Sequence, residues 1–216
     1  VNEHEYEPIP GLPALLPAGE TILWQGAPDW RSLARRAFHV RQLGVYFTVI
    51  LLLRVAFSVS SGMPISEALW STCYLLPFAI GAVGVLTVLA WLTARATIYT
   101  ITNRRVVIRF GIALQMTLNL PFVMIPSAGL RSYSDGTGDI PLALQPGQRV
   151  AYLVVWPHIR PWRVARTEPM LRCVPDAQRV AQTLARALSA ASDQPARPVP
   201  EVAPELRTTV SSPIAA

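Results

Sequence analysis

Residues 68–94 read ALWSTCYLLPFAIGAVGVLTVLAWLTA, a stretch without a single charge. A bilayer core about 30 Å thick needs roughly 20 helical residues, so this stretch spans it with room for tilt. Trp70 and Trp91 lie near its two ends, where amphipathic rings favour the membrane–water boundary. Directly after it, residues 97–111 read TIYTITNRRVVIRFG, and the apolar period changes from helical to alternating. That junction decides the fold: a membrane helix runs straight into an antiparallel sheet.

Upstream, residues 43–61 form a second span, apolar except for Arg54. An Arg at mid-bilayer costs about 3 kcal/mol on insertion scales. Arg54 lies past the middle, so it snorkels toward the far surface or faces a partner. The link at 62–67 is too short for a domain, and the two spans make a tight hairpin. Arg31, Arg35, Arg36 and Arg41 precede it, Arg95, Arg104, Arg105 and Arg109 follow it, and the link carries only Glu67. Positive charge stays inside, which predicts two spans with both termini cytoplasmic. Asp29 is a plausible N-cap, and Leu33, Ala37 and Val40 recur at helical spacing. This predicts an interfacial helix over 31–42, with Arg31, Arg35, Arg36, Arg41 and Arg95 toward lipid head groups. An ordinary surface helix is the plainer reading. In the second span Cys73, Pro77, Gly81 and Gly84 share one face, which packs either on the first span or on a foreign helix, with a kink at Pro77.

Downstream, strands are expected at 97–102, 106–110, 114–120, 130–134, 140–144 and 150–156, with turns at Asn103-Arg104 and at 135–139. Asp176 is expected to cap a helix running to about Ser192, with Val180, Leu184, Leu188 and Ala191 as its apolar stripe. The fold class is therefore membrane α+β: a two-helix transmembrane hairpin plus a small antiparallel β-barrel or sandwich over 96–193, closed by a C-terminal helix. Residues 1–30 form a Pro-rich segment holding a short strand at 20–26, and residues 194–216 read as a disordered tail.

Composition agrees. Of 216 residues, 51% are hydrophobic and 15% charged, against about 25% charged in soluble domains. The net charge is +6 and every basic residue is Arg, through a GC-rich coding sequence or for bidentate recognition of phosphate or carboxylate. The Arg residues cluster beside the spans, which favours lipid over nucleic acid. Residues 1–8 are acidic and polar, so no cleavable signal is expected and insertion uses the internal spans.

Catalytic chemistry has little support. His4, His39 and His158 are scattered, and HExxH, GxSxG and P-loop patterns are missing from the sequence. Cys73 in a span and Cys173 in the distal part argue against a disulfide, and no Cys/His cluster points to a metal. Asp135 and Asp139 bracket a Gly-rich turn, faintly calcium-like but short of acidic ligands. His39, just before a span, is either a solvated interfacial residue or a ligand for a chlorin magnesium; no cofactor is expected, and contact with bacteriochlorophyll rests on that residue alone. The densest candidate is 156–163, WPHIRPWR. Trp156, His158, Arg160, Trp162, Arg163 and, just beyond, Arg166 combine contact area with directional charge, as binding hot spots do. An irregular, Pro-pinned crossing between strand and helix fits the same residues.

Residues 99–111, with a Thr-Asn turn before an Arg-rich apolar strand ending in Gly, resemble the first hairpin of bacterial PH-like domains attached to membrane spans. The blocks at 7–13, 22–30, 156–163 and 172–177, in that order, resemble the PuhB-type assembly proteins of purple-bacterial photosynthetic complexes. The resemblance covers about residues 7–188. It implies a PH-like domain, a place in the bacterial inner (intracytoplasmic) membrane, and a role in assembling the reaction centre and light-harvesting 1 subunits without enzyme activity. It supplies no motif that assigns site residues. The alternative is a membrane-anchored PH-like module for lipid or peptide without a photosynthetic role. Membrane lipids and a second copy of the chain are further partners to consider.

Overall fold

In the computed structural model, which describes residues 11, 12, 14–148, 150–164 and 166–192, the short early strand β1 (Ile22–Gly26) pairs antiparallel with β2 (Ile98–Thr102). His4, most of the block at 7–13 and the tail at 194–216 lie outside the described residues. β2 continues into β3 (Arg105–Phe110) and β4 (Met116–Pro121), giving one sheet of order β1-β2-β3-β4. The turn between β2 and β3 shows why Thr-Asn stands there. Thr102 Oγ accepts the Arg104 and Arg105 N–H groups at 3.1 and 3.0 Å. The Asn103 side chain accepts from Thr21 N and donates to Gly19 O, tying in the strand that precedes the hairpin. Beside it Arg105 grips Glu20 through two bonds, at 2.7 and 2.9 Å. Burial pushes the Glu20 carboxyl up, but the Arg105 and Thr102 hydrogen bonds outweigh it and hold the group below its usual range.

The second sheet centres on β7 (Thr137–Ala143). Its one edge pairs with the short strands β5 (Ser127–Ala128) and β6 (Arg131–Ser132), its other edge with β8 (Met170–Pro175). The core lies between the two sheets: Tyr99, Ile101 and Ile108 from one, Ile140, Leu142 and Leu171 from the other, all fully buried. α6 (Ala177–Ser192) closes it with Val180, Ala181 and Leu184. Its first residue follows Asp176 in the left-handed region (φ 48°), and Asp176 lends its carbonyl to Val180 N–H. The two sheets stay separate, so the barrel half of the barrel-or-sandwich expectation is corrected to two facing sheets under one helix.

Three strand expectations need correction, the smallest being that the strand expected at 114–120 begins only at Met116 and leaves Leu114 exposed in the loop before it. Residues 150–156 form no strand: Tyr152–Val155 make the single-turn helix α5. Their apolar residues fall on both parities, so no alternating face exists to hold a strand in register. The last strand is instead β8, which is buried at five successive positions from Met170 to Val174. A strand covered on both faces reads as an unbroken apolar run rather than as alternation, and Arg172 in its middle hides even that.

Between β1 and β2 the chain makes its hairpin: α2 (Val40–Ser60), α3 (Ile65–Cys73) and α4 (Leu76–Ala96). The 21 residues of α2 rise about 31 Å, enough to cross a bilayer core. None of them is buried, and α3–α4 is nearly as bare. The expected continuous second span is broken at Tyr74-Leu75, with Pro77 in the first turn of α4, where its missing N–H costs nothing. The expected 31–42 helix is also split. α1 (Trp30–Arg36) starts on Asp29, whose carboxylate accepts Ser32 N–H at 2.8 Å. It ends at Ala37, and His39 turns the chain through a left-handed conformation (φ 54°) into α2. Leu33 and Ala37 pack on Ala94 and Cys173, so α1 is bolted to the domain. The apolar stripe that suggested an interfacial helix is spent on this contact. The hairpin is thus an insertion between two neighbouring strands, and a single residue, Thr97, separates α4 from β2.

Candidate membrane and partner interface

The face of Cys73, Pro77, Gly81 and Gly84 is exposed at all four positions. A Cβ built on Gly81 or Gly84 meets no atom within 4 Å. The first span packs elsewhere: the covered positions of this arm include Ala68, Thr72, Ala79 and Ala90. Of the two occupants expected for the small-residue face, the chain's own helix is therefore not the one.

The residues 156–166 are divided by the structure. His158 is fully buried and is corrected from surface residue to core residue. Thr97 Oγ donates to Thr93 O at 2.7 Å and accepts His158 Nε2–H at 3.1 Å. Tyr99 O–H then donates to Nδ1 at 2.7 Å and accepts the Arg172 N–H at 3.1 Å. These partners fix the neutral tautomer. Burial, with the Arg172 charge beside it, pulls the imidazole down to about 3. Arg172 also donates to Pro157 O and Arg36 O, both at 3.1 Å. The segment is so pinned to the foot of α4 and to α1, and Trp156 stacks edge-on against Phe38 with centroids 5.2 Å apart. Arg160 and Arg163 both bond Glu168, at 2.9 and 2.7 Å. Trp162 is 95% exposed, and Arg166 is exposed.

The five basic residues expected to face lipid also divide. Arg31, Arg41 and Arg95 are exposed. Arg36 lies over the Tyr133 ring at 3.4 Å and bonds Asp135 at 3.0 Å, and Arg35 reaches the same carboxylate at 3.3 Å. Asp135 further accepts from Thr137 Oγ and Ser32 Oγ, at 2.7 and 2.9 Å. The Thr137 hydroxyl has the largest effect, burial opposes it, and the added bonds from Arg36 and Ser32 help hold this carboxyl well below the usual range. The Gly-rich turn is therefore a tertiary clamp on α1. Asp135→Ala leaves the fully buried Ser32 hydroxyl without its acceptor and should destabilise the detergent-solubilised protein by about 2 kcal/mol in urea titrations. His39 turns its Nδ1 to Ala37 O at 3.1 Å. Cys73 and Cys173 are free thiols. Burial, with the Asp139 charge nearby, pushes Cys173 up to about 12, so it is a poor nucleophile. Among the described residues no group of three His, Cys, Asp or Glu side chains could hold a metal.

Sequence reasoning missed Ile112 and set Leu114 in the strand expected at 114–120, whereas the two stand 47% and 81% exposed in the loop between β3 and β4. β2 leaves the foot of α4 and β3 returns toward it, with Ile98 opposite Arg109. That loop is therefore at the same end of the domain as the hairpin. The alternating pattern that located the strands carried this signal, because it places the loop by topology alone.

The chain matches the bacterial PH domain family over residues 49–188. It is 39% identical over 196 residues to an uncharacterised 23.7 kDa protein in the puhA 5′ region of Rhodobacter capsulatus, covering 90% of this chain and 91% of that one. No solved structure matches it. The family match begins inside α2, although β1 and α1 before it complete the sheet and brace the hairpin. Because the match extends over well more than half of its length, the chain belongs to the bacterial PH domain family.

Proposed function

We propose that this protein is a PuhB-type assembly factor, a membrane-anchored binding protein that holds reaction-centre or light-harvesting 1 subunits while the photosynthetic core complex forms. The observation that carries this reading is the bare small-residue face of α4, at Pro77, Gly81 and Gly84. Small residues let a second helix approach closely, which is how helices associate where the surrounding lipid is as apolar as they are. An uncovered apolar hairpin on a folded domain suits a bilayer, and the Arg count on its two feet, against Glu67 alone at the tip, supports a cytoplasmic domain. The relative from the puhA 5′ region supports a photosynthetic setting. The side chains of the domain support binding rather than catalysis: its buried histidine, thiol and carboxylates are all engaged in internal hydrogen bonds or packing.

Deleting the gene should lower assembled core complex several-fold while bacteriochlorophyll synthesis continues, read from membrane absorption spectra. Normal core-complex levels in the deletion strain would remove the proposal.

A further inference from the structure

The end of the domain from which the hairpin leaves carries an unusual collection of bare apolar side chains. Ile112 and Leu114 occupy the β3–β4 loop, which topology places beside the foot of α4. Phe110, the last residue of β3, lies against His158 with ring centroids 5.6 Å apart, and His158 bonds Thr97 directly below α4. Loop and segment thus converge on one point. Trp156, 46% exposed, touches Phe38 at the entry to α2. Trp162, 95% exposed, is four residues beyond His158, a reach of at most about 14 Å. It stands at the tip of an excursion closed by the Ile159–Pro169 bridge and the Arg160–Glu168 pair.

Exposed cations lie on the same segments and at the feet of the two apolar helices. Arg41 opens α2 and Arg95 ends α4, both exposed, and Arg166 is exposed on the excursion. Arg160 and Arg163 together outnumber the one carboxylate they hold, Glu168. Exposed apolar side chains and exposed Arg residues, on segments tied to the feet of the two apolar helices, match the composition of an interfacial membrane-binding surface.

We propose that this end of the domain is a seat on the bilayer that holds the hairpin: Ile112, Leu114, Trp156 and Trp162 enter the boundary between head groups and acyl chains, while Arg41, Arg95 and Arg166 meet anionic phosphates. The seat rests on the hairpin being membrane-embedded and is independent of the assembly role. It assigns Trp156, Trp162 and Arg166 to lipid rather than to a protein partner. It fixes the tilt of the domain, and with it the azimuth at which the bare face of α4 is presented within the membrane.

The test uses full-length protein in nanodiscs, with an environment-sensitive fluorophore on single introduced cysteines in a Cys73→Ala background; Cys173 is buried and stays unlabelled. Leu114→Cys and Trp162→Cys probe the seat. Val123→Cys, 80% exposed at the opposite end of the sheet, where Phe122 bonds Arg104 O, is the distal control. Phe78→Cys, 77% exposed on α4, reports the hairpin. In phosphatidylcholine discs containing phosphatidylglycerol, lipids spin-labelled near the head group should remove about half of the emission at 114 and 162 and little at 123. Discs of phosphatidylcholine alone should weaken that quenching. Emission at 114 and 162 matching that at 123, with 78 quenched by deep labels, overturns the seat and leaves the hairpin reading intact. A water-exposed signal at 78 overturns both. Protection at 114 and 162 that arises only when core-complex subunits are added also overturns the seat and assigns the surface to a protein.

Discussion

Gly81→Leu combined with Gly84→Leu should reduce co-purification of the core complex with this protein by about tenfold or more, with its membrane level unchanged. The two positions suit the test because the chain itself does not use them. Both are exposed, and an added Cβ meets nothing within 4 Å, so the monomer has room for the larger side chain. Leu also favours helix over Gly by about 0.8–1 kcal/mol per residue, which works against unfolding of α4. What the substitution removes is close backbone approach by a second helix, which needs small residues at the contact. A tenfold loss corresponds to about 1.4 kcal/mol, a modest demand on two side chains placed in the middle of a helix contact. Gentle detergent extraction followed by affinity capture, with subunits quantified in the eluate, reads the effect. Capture equal to that of the unaltered protein would show that the face is simply lipid-covered, and the assembly reading would lose its main structural support. Loss of the protein itself from membranes would instead indicate misfolding, which thermal melting of the purified variant distinguishes.

The parts of this molecule that follow local rules were legible in its sequence. The uncharged run at 68–94, the alternation through Val106, Ile108 and Phe110, and the stripe of Val180 and Leu184 all mark elements the structure contains. The Thr-Asn turn and the Asp29 cap rest on side chains bonding their own neighbourhood, and a linear reading reaches them. What it does not reach is pairing across the hairpin. β1 finds β2 some seventy residues later, and nothing in residues 22–26 names that partner. The same gap hid the clamp of Ser32 and Arg36 on Asp135, since a Gly-rich turn looks alike whether it is free or anchored. β8 failed differently: buried on both faces, it offers no period to detect. His158 was misplaced because a Trp/Arg/Pro-rich stretch resembles a binding surface, and only the fold shows that its middle residue points inward. For the interface, then, residue type was informative and orientation was not. Trp162 and Arg166 lie outside, Arg160 and Arg163 are tied to Glu168, and Leu114, in phase with Met116 and Leu118, reads as a strand residue although it stands exposed in the loop with Ile112.

His158 gives the protein a stability that depends on pH in a predictable direction. Its imidazole is neutral in the fold, held between Tyr99 and Thr97 and pulled down to about 3 by burial and by Arg172. In the unfolded chain it titrates near 6.5. Between those values the unfolded state binds the extra proton, so unfolding is favoured progressively as pH falls. Above about 6.5 neither state is protonated there and the full stability is present. Each pH unit below that should remove about 1.4 kcal/mol from this group, or about 2 kcal/mol between pH 6.5 and 5. The carboxyls of Glu20 and Asp135, held below their usual range, release their own contribution only at lower pH. The window from 5 to 6.5 therefore isolates the histidine when it is compared with His158→Gln. Gln cannot take up a proton, yet it can still donate to Thr97 and accept from Tyr99. The variant should be weaker at pH 8, by on the order of 2 kcal/mol for imperfect replacement of two buried hydrogen bonds, and its stability should change less between pH 6.5 and 5. Urea titrations of the detergent-solubilised protein at pH 8, 6.5, 5.7 and 5 supply both curves. If the two proteins lost stability in parallel across that range, His158 would have to be protonated in the fold, and the hydrogen-bond directions assigned to Tyr99 and Thr97 would be wrong. A converging pair would establish that His158 is neutral in the fold and ties Thr97, at the foot of α4, to β2 and β8 through an uncharged network.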